Sequence, residues 1–384
     1  MKAVLLIGGE GTRLRPLTCN TVKAMVPILN RPFLEHVIAY LKSHGVDDIV
    51  LALCYLPDHV QSYFGDGSKH GVRLTYAVED SPRGTAGAVK NVEGYLDDVF
   101  LVFNGDILTD IDLTAMMAFH RARKANVTIA LTPVEDPSAY GVVETEADGR
   151  VRRFVEKPPR EEATTNLINA GVYILDSDVL PHIPANERYM FEHDLYPKLL
   201  ARGVPVYGFP SEGYWIDIGT PEKYLQLHCD LLQGKGVTAL HSAARPSDPA
   251  SVARGGWVHP TARVEGPVVL GHGCHIGPAA YLKGPVVLGE DCIILEGAAI
   301  EGSVLWHHVR VGRQAVLRHC IVGDSTSIGD GSQLDTGSVV GDHVVISPGS
   351  YLAPGTRLGD VSQEEPTPPP AGPPRARQDP GGSP

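Results

Sequence analysis

The sequence has few cysteines, no long apolar run and no excess of basic residues, and each shortage excludes a class of protein. Its six cysteines form no CxxC pair and no Cys/His zinc spacing, so neither a disulfide framework nor a structural metal is indicated. No stretch approaches the roughly 18 apolar residues that a membrane helix needs, and Glu10 interrupts the apolar residues 3–7 before they reach the length of a secretory signal. We therefore expect a cytoplasmic protein that does not associate with membranes.

The distribution of charge indicates what kind of ligand the chain binds. It carries 33 Lys and Arg residues against 45 Asp and Glu residues, and the resulting net charge of −12 repels nucleic acid and anionic lipid. Residues 1–34 are the exception, because five basic side chains there accompany one acidic side chain, Glu10, for a net charge of +4. We expect no nucleic-acid partner, and an anionic small molecule near the start of the chain.

Length and residue pattern together predict two domains. At 384 residues, 43% of them apolar, the chain exceeds the roughly 250–300 residues that one hydrophobic core serves. Up to residue 233, short β-branched runs alternate with amphipathic segments, which is typical of an α/β domain with a largely parallel sheet. A helix is expected before Gly45, and another from Thr220 and Pro221 to Gly234. The predicted strands are Ala3–Ile7, Ile49–Leu53, Arg73–Val78, Val99–Phe103 and Val127–Leu131.

Residues 257–360 follow a different pattern, with a period of six. Aliphatic residues recur at every sixth position from Val258 to Ile300, Trp306 continues the series, and after two five-residue steps the period resumes from Val322 to Leu358. A short fixed period over a hundred residues indicates a solenoid, and this one resembles the left-handed parallel β-helix of hexapeptide-repeat proteins, with about six coils. Two positions before the aliphatic residues lie compact, inward-facing side chains, among them Val304, Cys274, Cys292 and Cys320.

Two further segments show neither pattern. Residues 234–256 are rich in small and polar residues without apolar periodicity, which predicts a linker between the two domains. Residues 361–384 are dominated by Pro and Gly, and such a composition buries too little apolar surface to order itself, so we expect a disordered tail.

A glycine-rich turn directly after the first strand carries the main functional motif. The string GGEGTRLRPLT covers Gly8 to Thr18, and KAMVP begins at Lys23. Closely spaced glycines let backbone N–H groups approach a phosphate chain, and Arg13 and Lys23 can neutralise its charge. The string lacks the GKS or GKT ending of a P-loop. It closely resembles the signature of sugar-1-phosphate nucleotidyltransferases, in which the turn, here Gly8, Gly9, Gly11 and Thr12, binds the nucleotide.

Two aspartates are candidates for a metal site. Asp106, in NGDILTDIDL, follows the strand that ends near Phe103, at the carboxyl end where open α/β sheets bind ligands. Asp217, in YWIDIGTPEKY, precedes the helix capped by Thr220. A carboxylate can hold Mg²⁺ against phosphate oxygens, although either aspartate could also be a structural hydrogen-bond acceptor. The resemblance implies that Asp106 and Asp217 jointly hold a divalent ion.

The same resemblance assigns further residues and a fold. It implies a Rossmann-like α/β domain with a mixed, mainly parallel sheet, whose strings EDSPRGTAGAVKN, AYGVV, FVEKP and INAGVY contact the substrates. The implied reaction is in-line attack of a sugar-1-phosphate on the α-phosphate of a nucleoside triphosphate, with release of pyrophosphate. Lys157 would then hold the attacking phosphate, while Arg13 and Lys23 stabilise the reacting centre. The implied nucleobase residues are Glu79, Gly84 and Thr85, and the implied sugar residues are Tyr140, Gly141, Glu156, Asn169 and Gly171.

The acidic nucleobase loop favours guanine. Guanine presents two adjacent donors, N1–H and the 2-amino group, which one carboxylate can accept, whereas Gln suits the mixed edge of uracil or thymine. Glu79 and Asp80 stand in this loop, and together with GTAGA and the repeat region they resemble mannose-1-phosphate guanylyltransferases. Two positions depart from that pattern, since Arg83 stands where Leu is usual and Val22 where Pro is usual. We expect GTP and mannose-1-phosphate as substrates, with Mg²⁺ as cofactor.

Three alternatives remain open at this point. The chain could use UTP, dTTP or ATP with glucose-1-phosphate, or it could be a non-catalytic sensor of nucleotide sugars. The β-helix could instead carry an acyltransferase site, although its histidines are more economically interpreted as exposed turn residues. Flat coil faces also suit self-association, so a homo-oligomer is expected. The histidines in question are His272, His275, His307, His308 and His319.

Overall fold

A computed structural model of the chain describes residues 1–236 and 255–359. Most of the predicted linker 234–256 and all of the predicted tail 361–384 lie outside the described residues. The described part contains a helix-and-strand region, which ends with a helix at Leu232, and a region of short strands, which begins at Trp257.

The first region alternates strands and helices as the pattern predicts. Its α-helices are α1 Phe33–Ser43, α2 Pro57–Phe64, α3 Gly84–Asn91, α4 Leu113–Arg123, α5 Tyr196–Ala201 and α6 Pro221–Leu232. Its strands are β1 Lys2–Ile7, β2 Pro27–Ile28, β3 Arg31–Pro32, β4 Asp48–Leu53, β5 Arg73–Val78, β6 Val99–Asn104, β7 Ile107–Thr109, β8 Val127–Pro133, β9 Gly141–Thr145, β10 Val151–Glu156, β11 Leu167–Asp176, β12 Val206–Pro210 and β13 Trp215–Asp217.

The predicted start of α6 and the predicted left-handed glycine after α1 are confirmed at the residue level. Helix α1 stops one residue before His44, and Gly45 follows in the left-handed conformation with φ of 75°. Thr220 caps α6, since its hydroxyl oxygen accepts from the Lys223 N–H, and Pro221 is the first helical residue. The helix ends at Leu232, two residues short of Gly234.

A nine-stranded mixed sheet forms the centre of this region. Its main path runs β10-β9-β11-β6-β1-β4-β5, and β8 pairs with both β11 and β12. Strands β6, β1, β4 and β5 are mutually parallel, so their carboxyl ends lie at one edge of the sheet. The glycine-rich turn after β1, Glu79 after β5 and Asp106 after β6 therefore emerge at the same edge, where ligands bind in open α/β sheets.

The second region is a parallel β-helix. Eighteen strands form three six-stranded sheets, and each strand pairs with the third strand after it, so the chain makes six coils as predicted. The strands are β14 Trp257–Val258, β15 Arg263–Glu265, β16 Val268–Leu270, β17 His275–Ile276, β18 Tyr281–Lys283, β19 Val286–Leu288, β20 Ile293–Ile294, β21 Ala299–Glu301, β22 Val304–Leu305, β23 Arg310–Val311, β24 Val316–Arg318, β25 Ile321–Val322, β26 Ser327–Ile328, β27 Gln333–Leu334, β28 Val339–Val340, β29 Val345–Ile346, β30 Tyr351–Leu352 and β31 Arg357–Leu358.

The predicted inward positions are buried except around Trp306 and in the first and last coils, where Val264 and Leu358 are exposed. Cys274, Cys292 and Cys320 are buried inside the coils as expected. Strand pairing, however, aligns Leu305 with Leu288, so Leu305 points inward, and Trp306 and Val304 belong to the core shared with the first region. The first five-residue step therefore falls between Ile300 and Leu305 rather than after Trp306. An indole at this step faces outward because the missing residue shifts the register by one.

Trp306 packs where the β-helix meets the first region. The outer face of the sheet that contains β16, β19, β22, β25, β28 and β31 contributes Val287, Val304 and Trp306 to the larger core of the protein. The Trp306 indole N–H donates to the Tyr224 hydroxyl at 3.0 Å, and the Asn30 amide donates to the Leu288 carbonyl at 2.7 Å. Within the described residues, the two regions are therefore joined by a continuous apolar interface.

Candidate active site

A cleft of about 430 Å³ opens at the sheet edge where β1, β5 and β6 end. Its walls include all of the residues predicted to bind the nucleotide. The sequence-predicted residues that line it are Gly8, Gly9, Gly11, Thr12, Arg13, Lys23, Glu79, Gly84, Thr85 and Asp106. A cleft of this size accommodates a small organic ligand.

The glycine-rich turn leads from β1 along one wall of the cleft. Gly11 has φ of 66°, in the left-handed region, and a Cβ there would lie 3.1 Å from the Lys23 Cβ and 3.2 Å from the Thr18 Cγ2. Only glycine meets both demands without strain. The Thr18 hydroxyl donates to the Gly11 carbonyl at 2.8 Å, which fixes the turn from behind. The glycine-rich turn is thus held close to Lys23, with which it was predicted to bind the phosphates.

Lys23 and Asp106 form an ion pair in the cleft. The Lys23 Nζ lies 2.7 Å from the Asp106 Oδ2, and the Lys23 side chain is 12% exposed against 36% for Asp106. Both side chains are polar groups of opposite charge at the end of a parallel sheet. The Asp106 carboxylate could accept a metal ion, and the Lys23 ammonium could bind a phosphate.

The chain segment that carries Asp217 lies next to the one that carries Asp106, and three donors hold the Asp217 carboxylate. Strand β13 pairs with β7, and the Ile218 N–H donates to the Asp106 carbonyl at 3.0 Å. The Asp217 carboxylate accepts from the Tyr140 hydroxyl at 2.9 Å, from the Gly219 N–H at 2.9 Å and from the Lys223 ammonium. Burial opposes its ionisation, but these donors, Lys223 foremost, hold the pKa of Asp217 below its ordinary value.

Glu79 is the acidic side chain at the nucleobase end of the cleft. The residue is 6% exposed, and its Oε2 accepts from the Arg83 N–H at 3.2 Å. The other oxygen, Oε1, is buried without a hydrogen-bond partner within the described residues. Burial raises the pKa of Glu79. The hydrogen bond from the Arg83 backbone N–H and the positive charge of the Arg83 side chain oppose that rise. A buried acceptor without a partner is costly, so this oxygen is available to a ligand donor.

Gly84 brings the backbone of the nucleobase loop close to a neighbouring segment. Its φ is 74°, and a Cβ there would lie 2.7 Å from both the Tyr189 carbonyl oxygen and the Met190 Sδ. Tyr189 in turn accepts at its carbonyl from the N–H groups of Ala86 and Gly87 at 3.0 and 2.9 Å. The start of α3 is therefore held close to residues 189–190.

The residues predicted to bind the sugar lie beside the cleft rather than in its wall. Lys157 donates its N–H to the Tyr140 carbonyl at 3.0 Å, and its Nζ lies 3.2 Å from the Glu156 carboxylate. A Cβ on Gly141 would lie 2.8 Å from the Glu156 Oε2, so that strand pair is closely packed. None of these four residues is part of the wall of the described cleft.

Asn169 and Gly171 adjoin the cleft through Asn104. The Asn169 side chain accepts from the Gly171 N–H at 2.9 Å and donates to the Tyr173 hydroxyl at 2.9 Å. A Cβ on Gly171, whose φ is 70°, would lie 2.7 Å from the Nδ2 of Asn104, which does line the cleft. Gly171 therefore packs against a residue of the cleft wall, although neither Asn169 nor Gly171 is part of that wall.

Three polar residues around the cleft escaped the sequence argument. Lys223 binds Asp217, Arg188 lines the cleft, and Glu192 accepts from the Thr85 hydroxyl at 3.1 Å. The position of Lys223 in the first turn after the Thr220 cap was the one available signal. Arg188 and Glu192 come from a segment remote in sequence, and nothing in their spacing links them to the nucleobase loop.

The described residues hold neither a larger cluster of metal-binding side chains nor a membrane-spanning helix. Residues 1–236 and 255–359 contain no group of three or more His, Cys, Asp or Glu side chains that could hold a metal by themselves. In those same ranges no helix has the length and apolarity needed to cross a lipid bilayer.

Comparison with known proteins identifies the class. The family model "Nucleotidyl transferase" matches residues 2–234, and the model "EIF2B subunit epsilon LbH domain" matches residues 253–352. The first match covers more than half of the chain, which belongs to the nucleotidyl transferase family. The second match identifies the β-helix as left-handed, so both parts of the predicted fold are confirmed.

Named relatives narrow the class to sugar-1-phosphate nucleotidyltransferases. A mannose-1-phosphate guanylyltransferase of Mycobacterium tuberculosis is 39% identical over 268 residues, which is 67% of this chain and 74% of that protein. A UTP–glucose-1-phosphate uridylyltransferase of Synechocystis sp. is 38% identical over 240 residues, 59% of this chain and 62% of that protein. The crystal structure of HddC from Yersinia pseudotuberculosis complexed with GMP-PN is 31% identical, with a TM-score of 0.52 over 59% of this chain and 97% of HddC. The chain is an enzyme that transfers a nucleotidyl group to a sugar-1-phosphate.

Proposed function

We propose that this enzyme transfers the guanylyl group of GTP to mannose-1-phosphate, with Mg²⁺, and releases pyrophosphate. The observation that carries the proposal is the buried, unpartnered Oε1 of Glu79 in the cleft wall. Guanine offers two adjacent donors, and a carboxylate oxygen without a partner needs one. The relative named mannose-1-phosphate guanylyltransferase and the HddC complex with GMP-PN support the same choice.

The Glu79 carboxylate is held in a position that suits recognition of a nucleobase. The Arg83 N–H occupies Oε2 at 3.2 Å, so the carboxylate cannot rotate freely. Uracil and thymine present only one donor flanked by two acceptors. A carboxylate facing an acceptor repels it, so pyrimidine nucleotides are disfavoured at this position.

Arg13 of the glycine-rich turn, residues 8–18, and Lys23 would stabilise the triphosphate. We call residues 8–18 the signature turn below. Arg13 and Lys23 line the cleft on the side of the glycine-rich turn, and a Cβ on Gly219 would lie 2.9 Å from the Arg13 Nη2. That contact places the Arg13 guanidinium next to the segment that carries Asp217. We assign to Arg13 and Lys23 the stabilisation of charge on the reacting phosphate and on departing pyrophosphate.

The two aspartates form a donor set that fits a divalent cation. Members of this family typically use a divalent metal, and Mg²⁺ is commonly held by one or two carboxylates together with substrate phosphates. Asp106 and Asp217 supply two such carboxylates on paired chain segments. When bound there, Mg²⁺ would neutralise phosphate charge and orient the α-phosphate. Until then Lys23 and Lys223 balance the two negative charges.

The attacking sugar phosphate is assigned to the side of the cleft. Lys157 would hold its phosphate, and Tyr140, Gly141, Glu156, Asn169 and Gly171 would surround the hexose. The phosphate is already anionic at neutral pH, so no general base is required. This division goes with the proposed domain limits, with catalysis in residues 1–233, a linker at 234–256, the β-helix at 257–360 and the tail beyond it.

A substrate panel tests the proposal. Purified full-length protein with Mg²⁺ is mixed with each of GTP, UTP, dTTP and ATP and with mannose- or glucose-1-phosphate, and pyrophosphate release is measured. GTP with mannose-1-phosphate should have the highest kcat/KM of all pairs. A higher value for UTP with glucose-1-phosphate would replace this assignment by the activity named for the Synechocystis relative. Release without any sugar phosphate would point to simple hydrolysis instead.

A further inference from the structure

The last coil of the β-helix holds the backbone of the signature turn. The Arg357 Nη1 donates to the Arg13 carbonyl at 3.1 Å and to the Arg15 carbonyl at 3.4 Å. Within residues 1–236 and 255–359, one guanidinium thus binds the carbonyl of the middle residue of the short 3-10 turn Thr12–Leu14 and the carbonyl of Arg15, which follows that turn. Hydrogen bonds from a charged donor are stronger than those between neutral groups.

Pro16 adds an apolar contact at the same place. A Cβ on Gly341 would lie 3.1 Å from the Pro16 Cβ, and a Cβ on Gly359 would overlap the same ring. Two glycines, one coil apart, therefore let the proline lie directly on the β-helix. Pro16 itself is buried, and the neighbouring Leu17 is fully buried. The signature turn is packed against the β-helix as well as bonded to it.

The surface that holds the turn is itself fixed to the catalytic region at other points. Strand β31, which carries Arg357, belongs to the sheet whose outer face contributes Val287, Val304 and Trp306 to the shared core. Trp306 and Leu288 hydrogen-bond to Tyr224 and Asn30, several coils away from Arg357. The last coil is therefore anchored independently of the turn and can act as a rigid reference for it.

The side chain at the centre of the turn is the one assigned to the reaction. Arg357 holds the carbonyl of Arg13 itself and that of Arg15, and the Arg13 guanidinium approaches Gly219 beside Asp217. A shift of the Arg13 backbone would carry the guanidinium with it. Misplacement of a catalytic group by about 1 Å can cost about a hundredfold in rate.

We propose that Arg357 is a positioning residue for nucleotidyl transfer, and that the β-helix thereby takes part in assembling the active site. Arg357 acts through the turn that carries Arg13, so the inference rests on the role proposed above for Arg13. It goes beyond the assembly role expected for coil faces, because it makes the last coil necessary for the geometry of the phosphate site.

The test compares three full-length variants by kinetics and amide hydrogen exchange. Arg357→Ala removes the donors, Arg357→Lys keeps a charged donor, and Arg318→Ala removes an arginine of the same β-helix whose partner is Asp335, at 3.3 Å. Arg357→Ala should lower kcat by roughly tenfold, because the loss of both charge-assisted hydrogen bonds lets the Arg13 backbone shift, and leave the KM for sugar phosphate unchanged. Amides of residues 13–18 should exchange faster, Arg357→Lys should recover part of both losses, and Arg318→Ala should match the wild type.

Arg13→Ala separates this inference from the proposed function. If Arg13→Ala keeps wild-type activity, the assigned role of Arg13 is wrong. If Arg13→Ala is inactive while Arg357→Ala keeps both the wild-type kcat and the wild-type exchange of residues 13–18, the positioning role is overturned. An equal loss in Arg318→Ala would also overturn it, because the effect would then be a general one on the β-helix.

Discussion

Replacing Gly219 by alanine offers a sharp test of the geometry around Arg13 and Asp217. A Cβ at this position would lie 2.7 Å from the Asp217 Oδ1 and 2.9 Å from the Arg13 Nη2. Since ordinary van der Waals contact begins near 3.4 Å, the carboxylate and the guanidinium would have to retreat by about 0.7 and 0.5 Å. Gly219 does not have a left-handed φ, so the backbone itself accepts alanine.

The expected effect is on catalysis and not on folding. Displacements of this size at two reacting groups should lower kcat/KM by roughly ten- to a hundredfold, whereas the Arg13 side chain can move aside at little cost in the free energy of unfolding. The assay is pyrophosphate release at saturating and limiting nucleotide, with thermal unfolding of the same preparation. Gly94→Ala is the matched control, because a Cβ there has no heavy atom within 4 Å. Wild-type kcat/KM in Gly219→Ala would refute the assigned roles of Arg13 and Asp217.

Three further predictions concern charge, packing and pH. Asp106→Ala should lower turnover by at least about a hundredfold with an almost unchanged melting curve, since the side chain is 36% exposed; a mutant that keeps most activity would remove the assignment. Trp306→Phe keeps a buried ring but loses the N–H that donates to Tyr224, and urea denaturation should show a loss of about 1–2 kcal/mol, whereas an unchanged midpoint would contradict the interface described. Burial raises the pKa of Glu79, so its ionised form opposes folding at neutral pH; Glu79→Gln should raise the melting temperature at pH 7, and this gain should shrink as the pH falls through the raised pKa and the wild-type side chain takes up a proton. A gain that is constant with pH would contradict this explanation.

The fold was largely predictable from the sequence because both regions obey a simple periodicity. The alternation of strands and helices predicted a largely parallel sheet and five of its nine strands, and the six-residue period predicted six coils. The error at Trp306 shows the limit of this reasoning. A five-residue step can be placed at several neighbouring positions in the sequence, and only strand pairing distinguishes Leu305 from Trp306 as the inward residue. A large aromatic side chain is equally compatible with the interior and with an interface.

The strand pattern predicted the parts of the candidate site that directly follow a strand, whereas Gly84 and Thr85 were predicted through the family resemblance. The glycine-rich turn, Glu79 and Asp106 share one sheet edge because their strands are parallel neighbours, and the pattern of strands shows this. Lys223 and Arg188 reach the cleft through tertiary packing of segments far apart in the chain, which no spacing rule reveals. The contact between Arg357 and the signature turn joins residues more than 300 positions apart and belongs to the same class.

The most direct test of the central claim measures how Glu79 affects the choice between GTP and UTP. The ratio of kcat/KM for GTP to that for UTP is determined for the wild type and for Glu79→Gln, with mannose-1-phosphate as the acceptor. A large ratio in the wild type that falls by roughly tenfold or more in Glu79→Gln is expected, since the amide replaces one acceptor by a donor. The same ratio in both proteins, or a wild type that prefers UTP, would contradict the account of the cleft.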